Sequence, residues 1–305
     1  MPEDEQSPTR AGFVALIGAP NVGKSTLVNA LVGTKVSIVS RKVQTTRALV
    51  RGIAIVDHTQ IVFVDTPGIF EPRRRLDRAM VTSAWGGAGD ADVVSLLIDA
   101  RRGLDEPAEA ILTRLPELRQ PKVLILNKVD LVDRPKLLTL AADLNARVPF
   151  AHTFMVSALT GDGTDVLLRD LAAMMPKGPW LYPEDQVSDA PLRMLAAEIT
   201  REQIYDRLHE ELPYESTVET ESWEQRPDGS VRIEQTIYVA RDSQRKIVLG
   251  KGGQTIKLIG QAARREISEI AEAKVHLFLF VKVRENWSDD PERYRAMGLE
   301  FPSAR

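Results

Sequence analysis

A glycine-rich segment near the N-terminus limits the fold of this chain more than any other feature. Residues 18–25 read GAPNVGKS and match the pattern G-x-x-x-x-G-K-[ST]. In that pattern glycines let backbone N–H groups surround a polyphosphate, the lysine contacts the β- and γ-phosphates, and the serine holds Mg²⁺. Residues 24–32 are then expected to form a helix whose N-terminus faces the phosphates, because its dipole and free N–H groups favour anions. The motif predicts a nucleoside triphosphate ligand and leaves the base open.

A second motif identifies the base. Residues 127–130 read NKVD, and the Asp130 carboxylate can accept hydrogen bonds from guanine N1–H and from the exocyclic amino group. Adenine offers no such pair of donors, so GTP is the expected ligand. Two further motifs, DTPG at 65–68 and SAL at 157–159, complete an ordered set that describes a guanine nucleotide site.

The metal ligands come from three places in the sequence. Asp65, at the end of an apolar run, is placed to hold Mg²⁺ through water, and the Gly68 N–H can contact the γ-phosphate without side-chain hindrance. One hydroxyl of the pair Thr45 and Thr46, with Thr46 favoured, should complete the Mg²⁺ shell and order a loop that is released after hydrolysis. The alternative is that residues 34–51, which carry five Lys or Arg and no acidic residue, form a solvated basic loop.

Composition favours a two-domain cytoplasmic protein. The chain has 305 residues, which is enough for two cores, and its 43% hydrophobic and 27% charged content is typical of globular proteins. It has no cysteine, so disulfides and thiolate metal sites are excluded, and a reducing compartment is compatible with this. The acidic opening and the strand-sized apolar runs predict neither a secretion signal nor a membrane span.

The first half has the pattern of an α/β domain. Apolar, β-branched runs alternate with segments of helical spacing, which indicates a mostly parallel sheet with helices on both faces. The runs are 13–17, 61–64, 93–98, 123–126 and 153–156, and later helices are expected at 137–146 and 166–175. Residues 85–89 read WGGAG and predict a short or mobile element there. The predicted divisions are a disordered tail at 1–10, a GTPase domain at 11–176, a Pro- and Gly-rich linker at 177–190 and a second domain at 191–305.

The second half has the pattern of an α+β domain. A helix is expected at 192–211, strands at 214–224 and 230–240 around a turn, a helix at about 254–271 and a strand at 275–283. Residues 250–253 read GKGG and fit the G-x-x-G loop of KH domains, which approaches a single-stranded nucleic-acid backbone closely. With the helices and strands around it, this half resembles a type II KH domain, which is expected to bind RNA. Residues 241–284 have a net charge of +6 and residues 198–234 a net charge of −7, so the loop lies on the basic side. The predicted RNA contacts are Gly250, Lys251, Gly252, Gly253, Lys246 and Lys257; the alternative is a merely solvated charged face.

After its N-terminal tail, nearly the whole chain resembles the Era family of bacterial GTPases, within the TrmE-Era-EngA-like group. Residues 37–47, SIVSRKVQTTR, resemble its first switch, and residues 196–202, AAEITRE, its inter-domain helix. The resemblance implies that Lys128 packs along the base and ribose and that the Ser157–Ala158 backbone receives guanine O6. It also implies a role in maturation of the small (30S) ribosomal subunit and contact with the 3′ end of 16S ribosomal RNA. We expect a monomer in the cytoplasm, with peripheral association at the inner face of the cell membrane left open.

The motifs and the resemblance together assign the site. The predicted nucleotide contacts are Gly18, Ala19, Pro20, Asn21, Val22, Gly23, Lys24, Ser25, Thr26, Asp65, Thr66, Pro67, Gly68, Asn127, Lys128, Asp130, Ser157, Ala158 and Leu159. The predicted metal ligands are Ser25, Thr46 and Asp65, and the residues expected to assist catalysis are Lys24, Thr46, Asn21 and Gly68.

One position departs from the general GTPase pattern. Ile69 stands where many GTPases have a glutamine that orients water, and it has no group to hold a water. Asn21 resembles the residue that ligates K⁺ in related GTPases, where the ion neutralises charge much as an arginine finger does. An asparagine that only shapes the loop is an equally weighted interpretation.

Other classes of protein fit the sequence less well. A metabolic P-loop kinase would have no use for Asn127 and Asp130. A tRNA-modifying GTPase would require a C-terminal cysteine motif, and this sequence has no cysteine. A double-GTPase factor would need two phosphate loops, and the sequence has one. An RNA-binding module with a degenerate nucleotide fold is disfavoured because every phosphate and Mg²⁺ position is intact. The sequence predicts a GTP-hydrolysing switch joined to an RNA-binding domain.

Overall fold

The computed structural model describes residues 8–209, 212–285 and 287–302. They form two compact units that do not follow the chain in simple order. The first unit contains the described residues up to Ser37 together with Thr46–Asp189, and the second contains Ile38–Thr45 and the described residues from Ala190 onwards. Residues 1–7 of the predicted tail lie outside the described residues, and the first strand already begins at Arg10.

The first unit is built on a six-stranded sheet in the order β2-β3-β1-β4-β5-β6. Its strands are β1 (Arg10–Ile17), β2 (Val50–Val56), β3 (Thr59–Asp65), β4 (Val93–Asp99), β5 (Lys122–Asn127) and β6 (His152–Val156). All neighbours pair in parallel except β2, which is antiparallel to β3 at the edge of the sheet. The sheet is therefore mostly parallel, as predicted.

Helices cover both faces of this sheet. They are α1 (Lys24–Val32), α2 (Arg75–Gly89), α3 (Glu106–Arg114), α4 (Arg134–Arg147) and α5 (Thr164–Met174). Successive side chains of a strand point to opposite faces, so Val14 and Leu16 of β1 join one core with α1 and α5, while Ala15 and Ile17 join the other with α2, α3 and α4. The two-sided core accounts for the continuous apolar runs of the sequence.

Helix α2 corrects one expectation. The segment that contains WGGAG is not a short element, because α2 extends over 15 residues to Gly89. Ala84, Trp85 and Ala88 are buried against the sheet, and a Cβ at Gly87 would lie 3.3 Å from both Leu49 methyl carbons. Burial of one face therefore outweighs the low helix propensity of glycine.

Two elements of the first unit escaped sequence reasoning. Strand β2 begins at Val50, where the basic segment 34–51 ends, and continues to Val56; the sequence predicts no strand there, and pairing with β3 orders it. Helix α3 was also missed, although Asp105 caps it by accepting a hydrogen bond from the Ala108 N–H at 3.0 Å and Pro107 lies in its first turn. The capping Asp105 and the proline that follows it at 107 are typical of a helix start, and they could have predicted α3.

The Pro- and Gly-rich linker is attached to the first unit. Buried Gln60 donates from Nε2 to the Tyr182 carbonyl at 2.9 Å, and its Oε1 accepts from the Leu181 N–H at 2.8 Å and the Tyr182 N–H at 2.9 Å. Arg51 of β2 forms a 2.7 Å ion pair with Asp189 near the end of the segment. No helix or strand element begins between Met175 and Pro191, as its composition predicts.

The second unit has the order of elements expected for a type II KH fold. It contains α6 (Leu192–Arg207), β7 (Ser216–Gln225), β8 (Val231–Val239), α7 (Asp242–Leu249), α8 (Gln254–Ile270), β9 (Val275–Val283) and α9 (Pro291–Ala296). β8 is central, antiparallel to β7 and parallel to β9. Helix α6 ends at Arg207, short of the predicted Glu211, and residues 210 and 211 lie outside the described residues.

Residues 38–45 pack along α6 within this second unit. The Val39 N–H donates to Glu202 Oε1 at 2.7 Å, and the Tyr205 hydroxyl donates to the Gln44 carbonyl at 3.2 Å. Lys42 Nζ donates to the Tyr205 and Leu208 carbonyls, where the helix leaves carbonyl groups unpaired. The end of α6 is therefore capped by a lysine that is far away in the sequence.

Within the described ranges, no helix combines the length and the apolar character that crossing a membrane requires.

Candidate nucleotide site and nucleic-acid interface

The phosphate loop connects β1 to α1, and two of its glycines are required by close contacts. A Cβ at Gly23, whose φ is 101°, would lie 2.3 Å from Asn127 Nδ2, and a Cβ at Gly18 would lie 2.6 Å from the Leu97 carbonyl oxygen. Asn21 also has a left-handed φ of 64°. The loop therefore depends on backbone conformations that β-carbons oppose at the two glycines, which leaves its N–H groups available to a bound anion.

Lys24 lies folded under the loop. Its ammonium group is buried and donates to the Gly18 and Ala19 carbonyls, each at 3.1 Å. Burial lowers its pKa to about 8, although the nearby Asp65 carboxylate raises it. A cationic group that has given up its water shell inside the loop is a strong partner for phosphate oxygens.

The structure brings the three predicted metal ligands together. Ser25 Oγ donates to Asp65 Oδ2 at 2.6 Å and lies 2.9 Å from Thr46 Oγ1, which is itself 3.3 Å from the same carboxylate oxygen. Thr45 has a different partner, since its hydroxyl donates to the Lys42 carbonyl at 2.8 Å. Of the two threonines, Thr46 is the one beside Ser25 and Asp65.

The chemistry of this cluster suits Mg²⁺. Asp65 is fully buried, and its Oδ1 has no hydrogen-bond partner among the described residues. Burial raises the pKa of Asp65, while hydrogen bonds from Ser25 and Ser37 and the charge of Lys24 oppose the rise. A buried carboxylate with an unsatisfied oxygen beside two hydroxyls provides the hard oxygen ligands that Mg²⁺ prefers.

Asn127 connects the phosphate loop to the base-recognition loop. Its Nδ2 donates to the Val22 carbonyl at 2.8 Å, and its Oδ1 accepts from the Ala158 N–H at 3.0 Å. Ser157 and Ala158 are buried, whereas Leu159 is 83% exposed. The buried amide thus sets the spacing between the two loops, a role that adds to the predicted nucleotide contact.

Lys128 is held by a residue that sequence reasoning missed. Its Nζ donates to Asp99 Oδ2 and to the Asn21 carbonyl, both at 2.7 Å. Asp99 ends β4 beside Asn127, which ends the neighbouring strand β5. Asp99 could have been predicted as a site residue, because it is acidic and follows an apolar run whose carboxyl end lies at the binding edge of the sheet. Asp130, two residues beyond Lys128, is exposed and free to meet a base.

The segment after β3 closes the other side of the phosphate loop. A Cβ at Gly68 would lie 3.0 Å from the Pro20 Cα, and the Ile69 N–H donates to the Gly18 carbonyl at 3.1 Å. The Ile69 side chain is buried in the core, and the Thr66 hydroxyl donates to the Leu16 carbonyl at 2.6 Å. Ile69 therefore offers the site no polar side chain.

In the second unit, the GKGG loop connects α7 to α8. Gly250 has a φ of 72°, and a Cβ there would lie 2.2 Å from Thr255 Oγ1; Gly252 has a φ of 59° but open space around it. Lys246, Lys251 and Lys257 are exposed around the loop, with Lys246 Nζ 3.1 Å from Asp242. Sequence reasoning missed the apolar side chains that flank the loop, Ile247 and Leu258, each 55% exposed.

Two family models match the chain in these two regions. Residues 13–128 match a model described as 50S ribosome-binding GTPase, and residues 211–288 match a model described as KH domain. Fold, site geometry and family models agree on the class: this is a P-loop GTPase domain followed by a KH domain.

Full-length relatives identify the family. The chain is 72% identical over 302 residues to the GTPase Era of Afipia carboxidovorans, covering 99% of this chain and 98% of that protein. It is 69% identical to the GTPase Era of Brucella suis over 301 residues, covering 99% and 97%. The chain belongs to the GTPase Era family and is a GTPase.

Solved structures of Era have the same fold. A crystal structure of Era in complex with MgGDPNP and nucleotides of 16S ribosomal RNA superposes with a TM-score of 0.90 at 38% identity, covering 95% of this chain and 99% of that one. A crystal structure of an Aquifex aeolicus Era variant bound to GDP and AlF4⁻ also superposes with a TM-score of 0.90 at 38% identity, with the same coverage of the two chains.

Substitution of Asp130 tests base selection. We expect Asp130→Asn to weaken GTP binding by about 10–100-fold, because the amide oxygen can accept from only one of the two guanine donors and the lost hydrogen bond to a charged group contributes about 1.5–3 kcal/mol. Xanthosine triphosphate should become the preferred ligand, since the amide donates to its 2-carbonyl. Competition titration measures this preference. Asp133→Asn, which removes an exposed carboxylate three residues further on, is the matched control; an unchanged preference in Asp130→Asn would remove Asp130 from this role.

Substitution of Gly23 tests the contact between the loop and Asn127. The Cβ of Gly23→Ala would collide with Asn127 and occupy a left-handed conformation, so we expect the free energy of unfolding to fall by about 1–3 kcal/mol. GTP affinity should fall by more than about tenfold, because Asn127 also holds Ala158. Chemical denaturation and nucleotide titration provide the two measurements.

Gly86→Ala in α2 is the control for this substitution, because its Cβ meets nothing within 4 Å. It should stabilise the protein by about 0.5–1 kcal/mol and leave GTP binding unchanged. Normal GTP affinity in Gly23→Ala would show that the loop tolerates a side chain at this position.

Proposed function

We propose that this protein is a GTP-hydrolysing switch that binds 16S ribosomal RNA and acts in assembly and maturation of the 30S ribosomal subunit. The observation that carries the proposal is the presence, in one chain, of a GTP and Mg²⁺ site in the first unit and an exposed G-x-x-G loop in the second. The Era structure with MgGDPNP and 16S ribosomal RNA nucleotides supports it, at 38% identity over 95% of this chain.

The nucleotide half works by positioning and charge stabilisation. Lys24 donates to the β- and γ-phosphates, and the Gly68 N–H contacts the γ-phosphate where negative charge develops. Ser25 and Thr46 would hold Mg²⁺ directly and Asp65 through water, and the bound ion would neutralise charge on the phosphate oxygens. Asn127 and Asp130 place the guanine so that the triphosphate reaches this cluster.

A monovalent cation is proposed as the missing source of stabilisation. Buried Ile69 cannot orient a water molecule, so the transferring phosphoryl group lacks the help that glutamine gives elsewhere. Asn21 lies in the phosphate loop, where its carbonyl accepts from Lys128 Nζ at 2.7 Å. A K⁺ ion bound with help from the Asn21 side chain would supply positive charge beside the phosphates. Its left-handed backbone also suits the alternative in which it only shapes the loop.

Hydrolysis rates in different salts distinguish these two roles. At fixed ionic strength we expect GTP hydrolysis to be at least about tenfold faster in K⁺ than in Na⁺, because losing one electrostatic stabiliser slows enzymes by about 100-fold or more. Asn21→Ala should abolish the difference while GTP affinity stays within a few fold. Equal rates in both salts would refute the K⁺ proposal and leave the loop-shaping role.

The RNA half combines close backbone approach with charge and apolar contact. Gly252 and its neighbours allow a single-stranded backbone to come near the loop, and exposed Lys246, Lys251 and Lys257 attract its phosphates. Exposed Ile247 and Leu258 provide apolar surface for unstacked bases. We propose that the bound sequence is the 3′ end of 16S ribosomal RNA.

Substitution of Gly252 tests the RNA interface. Its surroundings are open and aspartate is tolerated at a left-handed φ, so Gly252→Asp should fold. RNA affinity should fall by at least about tenfold, because a negative charge stands where a phosphate must approach. Filter binding or fluorescence anisotropy with a single-stranded RNA of the 16S 3′ end measures this. Wild-type affinity should also fall with salt, with a log-log slope of roughly 0.7 for each phosphate neutralised.

A second glycine of the same unit is the matched control. Gly229 has a φ of +79°, equally open surroundings and a position in the β7–β8 turn, so Gly229→Asp should bind RNA like the wild type. GTP affinity should be unchanged in both variants. Normal RNA binding by Gly252→Asp would refute the KH assignment of function while leaving the nucleotide site intact.

We further propose that the protein is a cytoplasmic monomer. Its family membership supports this location. Cell fractionation would detect the alternative, which is peripheral association with the inner face of the membrane.

A further inference from the structure

A hydroxyl outside the four nucleotide motifs also contacts the metal-binding carboxylate. Ser37 is buried, and its Oγ donates to Asp65 Oδ2 at 2.7 Å, as close as Ser25 Oγ at 2.6 Å. Three hydroxyls, those of Ser25, Ser37 and Thr46, therefore converge on one carboxylate oxygen. Ser25 and Thr46 are the proposed direct ligands of Mg²⁺, which leaves Ser37 without a role at the metal itself.

The backbone of Ser37 is held by helix α1. Asn29 Oδ1 accepts from the Val36 N–H at 2.9 Å and the Ser37 N–H at 3.0 Å, and Asn29 Nδ2 donates to the Ser37 carbonyl at 2.8 Å. Asn29 lies one helical turn after Ser25 on the same helix. A single rigid element thus carries a metal ligand and the side chain that places Ser37.

The Ser37 hydroxyl, held in place by α1, can stabilise the buried Asp65 carboxylate. Asp65 is fully buried, and an ionised carboxylate is costly to bury unless it accepts hydrogen bonds. Ser25 and Thr46 must share their hydroxyl groups between the carboxylate and the metal, and Thr46 directly follows the segment 38–45, which belongs to the second unit. Ser37 is bonded to α1 before that segment begins, so its bond to Asp65 does not require 38–45 to hold one conformation.

We propose that Asn29 and Ser37 form a positioning pair that orients Asp65 for Mg²⁺ whatever the state of the segment 38–45. Ser37 is a positioning residue for the carboxylate, and Asn29 acts only by placing Ser37. The inference rests on the proposed Mg²⁺ and GTP site and adds two residues to it. Loss of such an outer partner lowers metal affinity by about 10–100-fold in metalloproteins.

Metal affinity tests the pair without reference to GTP hydrolysis. The protein–GDP complex is titrated with Mn²⁺, a substitute for Mg²⁺ whose free form is counted by electron paramagnetic resonance. We expect Ser37→Ala to weaken Mn²⁺ binding by about tenfold, Ser37→Thr to retain most of it, and Asn29→Ala to weaken it to a similar degree. The double variant should lose no more than the weaker-binding single variant, because both act through one bond.

Ser95→Ala is the matched control. Ser95 is as buried as Ser37, but its hydroxyl has no partner among the described residues, so its removal should leave Mn²⁺ affinity unchanged. If Ser37→Ala binds Mn²⁺ like the wild type, or no more weakly than Ser95→Ala, the inference is overturned. If Ser37→Ala fails to fold, the Asn29→Ala variant provides the test, because Asn29 is only half-buried. Unchanged Mn²⁺ affinity in Asn29→Ala would also overturn the inference.

The same titration separates this inference from the proposed function. The metal site is supported if the wild-type complex binds Mn²⁺ and the Ser25→Ala variant does not. Absence of binding by the wild type overturns the proposed site and the positioning pair together, whereas binding that depends on Ser25 but not on Ser37 overturns the pair alone.

Discussion

The burial of the Asp65 carboxylate is the constraint around which the nucleotide site is organised. A carboxylate without access to water must be compensated by donors or cations, and in this protein they come from three parts of the chain. Ser25 lies on the helix that follows the phosphate loop, Ser37 lies beyond the end of that helix, and Thr46 precedes β2. Lys24, itself buried, provides the nearest positive charge. Lys24 and Ser25 lie on α1, and Asn29 of the same helix holds the Ser37 backbone, so three of these groups depend on the packing of α1 against the sheet.

The parallel sheet explains why distant motifs meet. The carboxyl ends of parallel strands lie at one edge, where open α/β sheets bind their ligands. β1 leads into the phosphate loop, β3 ends at Asp65, β4 ends at Asp99 and β5 ends at Asn127. Asn127 then connects the phosphate loop to the Ala158 backbone. The guanine-recognition and phosphate-binding parts are therefore joined by one buried amide, and Gly23 has no side chain because that amide lies against it.

In the second unit, helix α6 holds the segment 38–45, which is distant from it in the sequence. Arg201 of α6 is fully buried, and it donates to the Thr45 carbonyl and pairs with Glu198. Burial would lower its pKa, but the Glu198 charge and hydrogen bond raise it overall. With Glu202, Tyr205 and the cap from Lys42, these contacts secure residues 38–45 within a unit that otherwise begins at Ala190. The resemblance predicts that this segment belongs to the first switch, and the next residue, Thr46, is a proposed ligand of Mg²⁺.

The sequence by itself determined the class and its proposed chemistry: the P-loop GTPase motifs, the predicted ligand base and metal-ligand residue types, the two-part architecture and the G-x-x-G loop proposed to bind RNA. These follow from short motifs, whose residues are close in the chain and whose spacing reflects local backbone geometry. The tertiary structure alone decided which hydroxyls and amides support them. Ser37, Asp99 and the bridging role of Asn127 depend on contacts across 28 to 105 positions, and no local pattern records such contacts. Strand β2, the full length of α2 and the membership of residues 38–45 in the second unit were likewise decided by packing, because burial against a distant surface outweighs local propensity.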